Sequence, residues 1–389
     1  MSNPKVCILV CDLAPYHEAR FNAAAALGDL VVLDVGKDID TAYDAPEQLR
    51  FPIIQVGPAK LEAQLTEIRP DVLVVPGWGS AIAQRGMLWA LRNDCPVVTF
   101  SDSQLEGQPR SWLQDSVKRQ LVSIFDSALV AGGRARRYMQ YFGMPSTVIF
   151  DGVDVVDNAH FAQHAQLSAA QLSAARDRLA LPTRYLFSVN RFVAQKNLSG
   201  LVTAYTEYVN NGHAGGLELV IAGDGELRSE LVAQIQQLGV TGKVHLLGRV
   251  GYQDLPMLYR LADAFVIASN SHSETWGLTV NEAMAAACPV LVSTSCGSSE
   301  DLVEHSVNGY TFAANAPAEL AQIFEEVGSQ QCDLVEMGAR ATATIAKWDV
   351  ALFACNLWAS IAAARTHARP PRRLAQLILR ALLFKSAIR

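Results

Sequence analysis

Short runs of apolar, largely β-branched residues recur along the chain, each four to six residues long and each followed by a stretch of helical composition. Such runs, with no polar alternation, read as strands buried on both faces, and their alternation with helices predicts an α/β fold with doubly wound parallel sheets. The rhythm occurs twice. In the first half, strands are predicted at residues 6–10, 30–35, 53–56, 71–75, 96–100, 127–131 and 147–150, with helices at 17–26, 61–68, 87–92, 112–125 and 134–142. In the second, strands are predicted at 185–189, 217–222, 244–247, 264–269 and 290–294, with helices at 198–210, 227–238, 255–261, 278–287 and 318–326. Residues 155–183 break the pattern: they are rich in Ala and Gln, read as helical, and end at Leu181-Pro182-Thr183. The expectation is two Rossmann-like domains, 1–182 and 183–346, then a C-terminal segment, 347–389, with the site in the cleft between the halves.

The stretch with the most chemistry follows the strand at 264–269: Glu274-Thr-Trp-Gly-Leu-Thr-Val-Asn-Glu282-Ala-Met-Ala-Ala-Ala-Cys-Pro289. Glu274 falls on a loop at a strand's carboxyl end, where open parallel sheets bind ligands, and Glu282 lies one to two turns into a helix. Gly277, Leu278 and Thr279 open that helix, so their N–H groups and the helix dipole favour an anion. A second cluster, Asn190-Arg191-Phe-Val-Ala-Gln-Lys196-Asn197, follows the strand at 185–189. Two cations there suit a diphosphate leaving group: Arg grips two oxygens, Lys supplies a point charge, and both meet charge that grows as the bond breaks.

These motifs resemble those of retaining glycosyltransferase family 4, enzymes of GT-B fold with a Glu-x7-Glu signature. Glu274, Gly277, Leu278, Glu282, Ala283, Met284, Ala285, Pro289 and Val290 fit its pattern, while Trp276 replaces the usual Phe and Ala287 the usual Gly. Arg191 and Lys196 are in register with the family's Arg and Lys, with Asn190 in place of a Gly. Gly223-Asp224-Gly225 resembles its Gly-Asp-Gly turn on the nucleotide side, and Gly248-Arg249-Val250 its base-holding loop. As a dinucleotide fingerprint Gly223-x-Gly225 fails, because Arg228 occupies the third glycine's position. The resemblance implies that Glu282 holds the ribose hydroxyls, Arg191 and Lys196 the diphosphate, and Glu274 the donor sugar.

The first half carries weaker signals. Asp102, after the strand at 96–100, is the candidate for the family's residue near the donor sugar; Tyr16, His17, Arg20 and Trp78 are candidates on the acceptor side.

The resemblance implies a hexosyltransferase of polysaccharide-type biosynthesis. It would move a sugar from a nucleotide-diphosphate donor to a glycan, a lipid-linked glycan or a small acceptor, with no cofactor and no metal. Asp38-x-Asp40 precedes every site motif. A nucleotide-sugar epimerase, or a catalytically silent GT-B partner protein, is the alternative. With half the residues hydrophobic and 18% charged, substantial cores are expected, and a net charge of −6 argues against a nucleic-acid partner. Seven scattered cysteines with no Cys-x-x-Cys pair suggest neither disulfides nor zinc, and the expected location is the cytoplasm.

The charge is unevenly spread. Residues 365–389 hold seven Lys or Arg and no acidic residue. Helical spacing places Leu374, Leu377, Ile378, Ala381 and Leu382 on one face and Arg373, Arg380 and Lys385 away from it. Family members end in a helix that crosses back to the first domain, which residues 347–364 can supply. The remaining tail reads as a basic amphipathic helix suited to an anionic membrane surface.

Overall fold

The structure is a computed structural model that describes residues 4–11, 13–36, 49–107, 111–213, 216–329, 332–366 and 372–387. Asp38, Asp40 and the side chain of Lys385 lie outside what the structure describes. Two compact units form, Met1–Val156 with Asp349–Arg389, and Asp157–Trp348.

The first unit holds β1 (Val6–Val10), β2 (Leu30–Asp34), β3 (Ile53–Gln55), β4 (Val72–Val75), β5 (Val97–Ser101), β6 (Ser127–Val130) and β7 (Ile149–Asp151). They pair in parallel in the order β3-β2-β1-β4-β5-β6-β7. The second holds β8 (Tyr185–Val189), β9 (Glu218–Ala222), β10 (Val244–Gly248), β11 (Ala264–Ile267), β12 (Val290–Ser293) and β13 (Gly309–Phe312). Its order is β10-β9-β8-β11-β12-β13, again all parallel. Both are Rossmann-like sheets. The direction of winding reverses between β1 and β4 in one and between β8 and β11 in the other, and a crevice opens at the carboxyl ends of such strands. Helices cover the sheets, and the central strands are buried over their whole lengths, as their unbroken apolar sequences require.

The boundary after residue 182 moves. The first unit ends at Val156, and the helices Asn158–Ala162 and Ala169–Arg178 go with the second. Phe161 is the reason: it is fully buried against Tyr252 and Tyr259, with ring centroids 5.5 and 6.0 Å away. Asn158 adds a side-chain N–H bond to the Ile345 carbonyl at 2.9 Å. The chain re-enters the first unit at Asp349, which bridges to Val156. Helix Val350–Thr366 then packs on Pro15–Ala25, and its Trp358 indole donates to the Ala24 carbonyl at 2.9 Å.

The tail helix, Arg373–Ala387, packs against helices Ala81–Arg92 and Trp112–Val122. Arg372 leads into it with a 2.8 Å ion pair to the buried Asp126. Its buried stripe is Ala375 and Leu379, with Ile378 and Leu382 half-buried beside them, whereas Leu374, Leu377 and Ala381 are exposed. The apolar face expected from the sequence is therefore divided, because the helix meets protein on one side. No helix among the described residues is long and apolar enough to cross a membrane.

Candidate functional site

The reversal point of the second sheet gathers the two motifs. Arg191 and Lys196 follow β8, Glu274 follows β11, and the β8 and β11 strands are neighbours. Lys196 and Glu274, 78 residues apart in the chain, form an ion pair through Nζ and Oε2, both side chains largely buried. Ser269 Oγ, fully buried, donates a second hydrogen bond to the same oxygen at 2.8 Å. Arg191 is exposed and makes no ion pair among the described residues. Asn197 takes the left-handed conformation, φ +50°, at the start of helix Leu198–Tyr208. Its side-chain amide donates to the carbonyls of Ala268 and Ala314 at 3.1 Å each, tying the cation loop to the loop after β11.

Helix Leu278–Ala285 begins at Gly277, whose φ of +92° strongly disfavours a side chain. A Cβ there would also come within 2.7 Å of the buried Cys296 Sγ. The Cys296 thiol donates to the Trp276 carbonyl at 2.8 Å, and burial pushes its pKa up to about 12, so it stays a neutral packing group. The Val280 N–H bonds to the Gly277 carbonyl at 2.9 Å, and Leu278 and Thr279 occupy the positions whose N–H groups have no intrahelical partner.

Glu282 sits on this helix with only 8% of its surface exposed. Tyr259, fully buried, donates to its Oε2 at 2.7 Å. Burial raises the Glu282 pKa to about 7 against the pull of that bond, and raises the Tyr259 phenol well above its usual value. Glu282 thus carries a carboxyl whose ionisation falls near neutrality.

Trp276 is placed otherwise than its expected donor-binding role requires. Its indole is buried, donates to Asn281 Oδ1 at 2.9 Å and lies 5.3 Å from the Trp348 ring. An indole N–H in place of a phenyl edge needs a buried acceptor, and the fully buried Asn281 is that acceptor. Its carbonyl is committed as well, accepting from the Cys296 thiol at 2.8 Å and the Ser298 N–H at 3.0 Å.

The neighbouring strand ends complete the edge. After β9, Gly223 adopts φ +120°, and a Cβ would fall 1.8 Å from the Asn190 carbonyl oxygen, so the Gly223–Gly225 turn lies directly on the chain leaving β8. Phe192 fastens them through its N–H to the Asp224 carbonyl at 2.9 Å. After β10, Arg249 is exposed and Val250 half-buried. Among the described residues, no group of three or more His, Cys, Asp or Glu is placed to hold a metal ion.

The first sheet's edge is built differently. Arg20 is buried, its Nε donates to the Val155 carbonyl at 2.8 Å, its guanidinium lies 3.5 Å from Asp154, and it stacks 4.8 Å from the Tyr16 ring. Its charge is thereby committed to the loop after β7, so it is not displayed for an acceptor. His17 Nδ1 accepts from the Ala14 N–H at 3.1 Å, and its ring packs on Phe21. Trp78, half-buried, stacks between Phe125 and Tyr138 at about 6 Å from each, so packing accounts for its ring. Asp102 is exposed after β5. Asp154, which the sequence did not single out, is raised to about 6 by burial, with Arg20 opposing and Asp102 adding to the shift.

HepE of Anabaena, solved with UDP and glucose, superposes with a TM-score of 0.74 at 17% identity, over 92% of this chain and 99% of that one. A sucrose-phosphate synthase of Thermosynechococcus elongatus gives 0.71 at 16% identity, over 93% and 100%. The fold is GT-B. Within it, residues 174–344 match the family model of glycosyl transferases group 1. An uncharacterised glycosyltransferase of Methanocaldococcus jannaschii is 37% identical over 36% of this chain and 34% of its own length. A glycogen synthase of Mycobacterium tuberculosis is 26% identical over 71% of this chain and 63% of its own. The chain thus spans between a third and just under two thirds of the length of these curated relatives. Every residue placed at the β8–β11 reversal point, from Arg191 to Glu282, lies inside the matched stretch.

Proposed function

We propose that this GT-B chain transfers a sugar from a nucleoside-diphosphate donor to an acceptor hydroxyl, with retention of configuration and without a metal ion. The observation that carries the reading is the convergence of Lys196 and Ser269 on one Glu274 oxygen, on the loop that leads into the open end of helix Leu278–Ala285. An arriving diphosphate would compete with Glu274 for Lys196 and add Arg191 as a second, unpaired cation. Released from that pair, the Glu274 carboxylate can accept from donor-sugar hydroxyls, with Ser269 holding its other bond. Glu282, fixed by Tyr259, suits the two ribose hydroxyls, since a carboxylate accepts two hydrogen bonds. The N–H groups of Leu278 and Thr279 and the helix dipole favour the phosphates.

In the reaction, the bond from the anomeric carbon to the leaving phosphate breaks and the acceptor oxygen bonds on the same face. The acceptor proton passes to the leaving phosphate, so the protein supplies charge rather than a base. That HepE, a relative in fold, was solved both with UDP and with UDP-glucose supports a nucleotide donor. The acceptor, a glycan, a lipid-linked glycan or a small hydroxyl compound, is assigned to the first unit, with Tyr16 as the acceptor-side candidate, and Asp102 keeps the place beside the donor sugar.

A thermal-shift panel of UDP, GDP and ADP identifies the base by the rise in melting temperature. Calorimetry with Glu282→Ala then tests the ribose contact: affinity should fall by about 1.5–3 kcal/mol for the ribonucleotide and much less for its 2′,3′-dideoxy form. Equal losses on both would place Glu282 elsewhere.

A further inference from the structure

We propose that the flank of the first unit formed by the tail helix and helix Trp112–Val122 is a docking surface for an anionic lipid membrane. Two independent observations meet there. The first is apolar exposure: Trp112 is 81% exposed, Phe384 71%, Leu377 61%, Leu113 59% and Leu374 55%. Five of the eleven exposed large hydrophobic side chains among the described residues thus fall on two helices that pack against each other. Single exposed leucines are ordinary, whereas a concentration that includes Trp and Phe marks an interaction surface.

The second is charge. The three helices packed together here carry, among the described side chains, Arg85, Arg92, Lys118, Arg119, Arg373 and Arg380 against a single carboxylate, Asp115, in a chain of net charge −6. Asp115 already accepts from the Tyr141 hydroxyl at 2.9 Å, and Arg92 pairs with Glu62 at 3.1 Å. Asp126, beneath the tail helix's first turn, is buried and paired with Arg372. Basic side chains on the same packed helices as exposed Trp, Phe and Leu fit the headgroup region of an anionic bilayer, where the charges meet phosphates and the apolar tips reach the acyl boundary. A polar protein partner would leave the apolar tips uncovered, and a second copy of the same basic face would bring like charges together.

The anchoring of the helix sharpens the proposal. Because Ala375 and Leu379 are buried and Arg372 is locked to Asp126, the outward face is presented by a helix already fixed to the unit. The surface is preformed, and binding need not order a free tail. It also stands apart from the sugar-transfer reading, since none of its residues belongs to the second unit.

The experiment uses the full chain in co-sedimentation with phosphatidylglycerol-containing vesicles and with phosphatidylcholine vesicles. Wild type should pellet with the anionic vesicles, less as salt rises. Leu377→Glu combined with Phe384→Glu, both on exposed positions, should weaken binding at least about tenfold while circular dichroism and nucleotide binding stay unchanged. Arg373→Gln with Arg380→Gln should weaken it about tenfold or more, at roughly fivefold per charge. Tryptophan emission should shift to the blue on adding anionic vesicles, and Trp112→Phe should remove most of that shift. Wild type left in the supernatant, or variants that pellet as wild type does, would overturn the proposal. So would a lipid-free dimer that Leu377→Glu dissociates, since the face would then be an interface between copies.

Discussion

The two sheets end in edges of opposite character. At the carboxyl edge of the second sheet, backbone meets backbone: the Gly223 turn lies on Asn190, and helix Leu278–Ala285 starts from a left-handed Gly277 packed on Cys296. The side chains held on that frame are an exposed Arg191, a Lys196–Glu274 pair and a Glu282 carboxyl fixed by Tyr259. At the first sheet's edge, with Asp102 the exposed exception, the polar and aromatic side chains described are turned inward. Arg20 holds the β7 loop, His17 caps its own turn, and Trp78 stacks between two rings. One edge displays charge on a rigid frame; the other uses its charge to build the frame. On the proposed function, the difference puts the fixed chemistry, a diphosphate and a ribose, at the second unit and the variable partner at the first.

The comparison breaks most directly at Lys196. Lys196→Ala should lower transfer by about 100-fold or more, the range for removing a charge that stabilises a leaving group, whereas Asp102→Asn should leave nucleotide affinity unaltered. Steady-state kinetics and calorimetry separate the two, and near-normal turnover of Lys196→Ala would sink the assignment.

Next in size is Gly277→Ala. Positive-φ strain and a Cβ within 2.7 Å of Cys296 Sγ should cost about 2–4 kcal/mol in a denaturant titration. Loss of less than 1 kcal/mol would mean that the frame is not rigid there.

Glu282 makes a pH-dependent prediction. Its folded pKa, about 7, lies above the ordinary value of 4.5 for a free glutamate side chain, so between the two the folded state holds a proton that the unfolded state has released. The stabilisation is present below pH 4.5 and is lost as pH rises through 7. Glu282→Gln should therefore equal or fall below wild type near pH 5 and gain on it by roughly 2–3 kcal/mol by pH 8. Parallel melting-temperature curves for the two proteins would show that burial does not govern this carboxyl.

The smallest effect is expected at Ala287, which adopts φ +59° where the resemblance has Gly. Ala287→Gly relieves left-handed strain but adds unfolded-state freedom, so a net gain of up to about 1 kcal/mol is expected in the same titration. A loss would mean that the methyl group's packing outweighs the strain.

The sequence disclosed the second edge because its chemistry is local. Gly277, Leu278 and Glu282 share one helix start, and Arg191 and Lys196 share one loop. What it could not disclose were the long-range partners: Tyr259, 23 residues from Glu282, and the arrangement of Arg20 with Asp154, 134 residues apart. The motif position of Trp276 says nothing of the direction of its ring, which is why the expected ligand contact gave way to packing. Helix Ala81–Arg92 is legible only from residue 87, since Gly86 breaks the helical pattern; a Cβ there would come within 2.6 Å of a Leu9 methyl, so packing against β1 accounts for the glycine. Strand β13 and helix Leu334–Ile345 go beyond the elements expected from the sequence. The strand's apolar run is too short to stand out. The helix carries Gly338 where it touches the backbone after helix Leu278–Ala285, and a Cβ at that position would fall 2.2 Å from the Ala287 carbonyl oxygen.

The central claim is that the second unit's edge, through Arg191 and Lys196, is a diphosphate site. Calorimetric titration of the full chain with the nucleoside diphosphate that gives the largest thermal shift tests it directly, in buffer with and without EDTA. Wild type should bind equally in both, and the Arg191→Ala, Lys196→Ala double variant, with an unchanged circular dichroism spectrum, should bind at least about 100-fold more weakly, each lost charged hydrogen bond weakening binding by about 1.5–3 kcal/mol. Equal affinity of the double variant and wild type, or binding that EDTA abolishes and Mg²⁺ restores, would contradict the account.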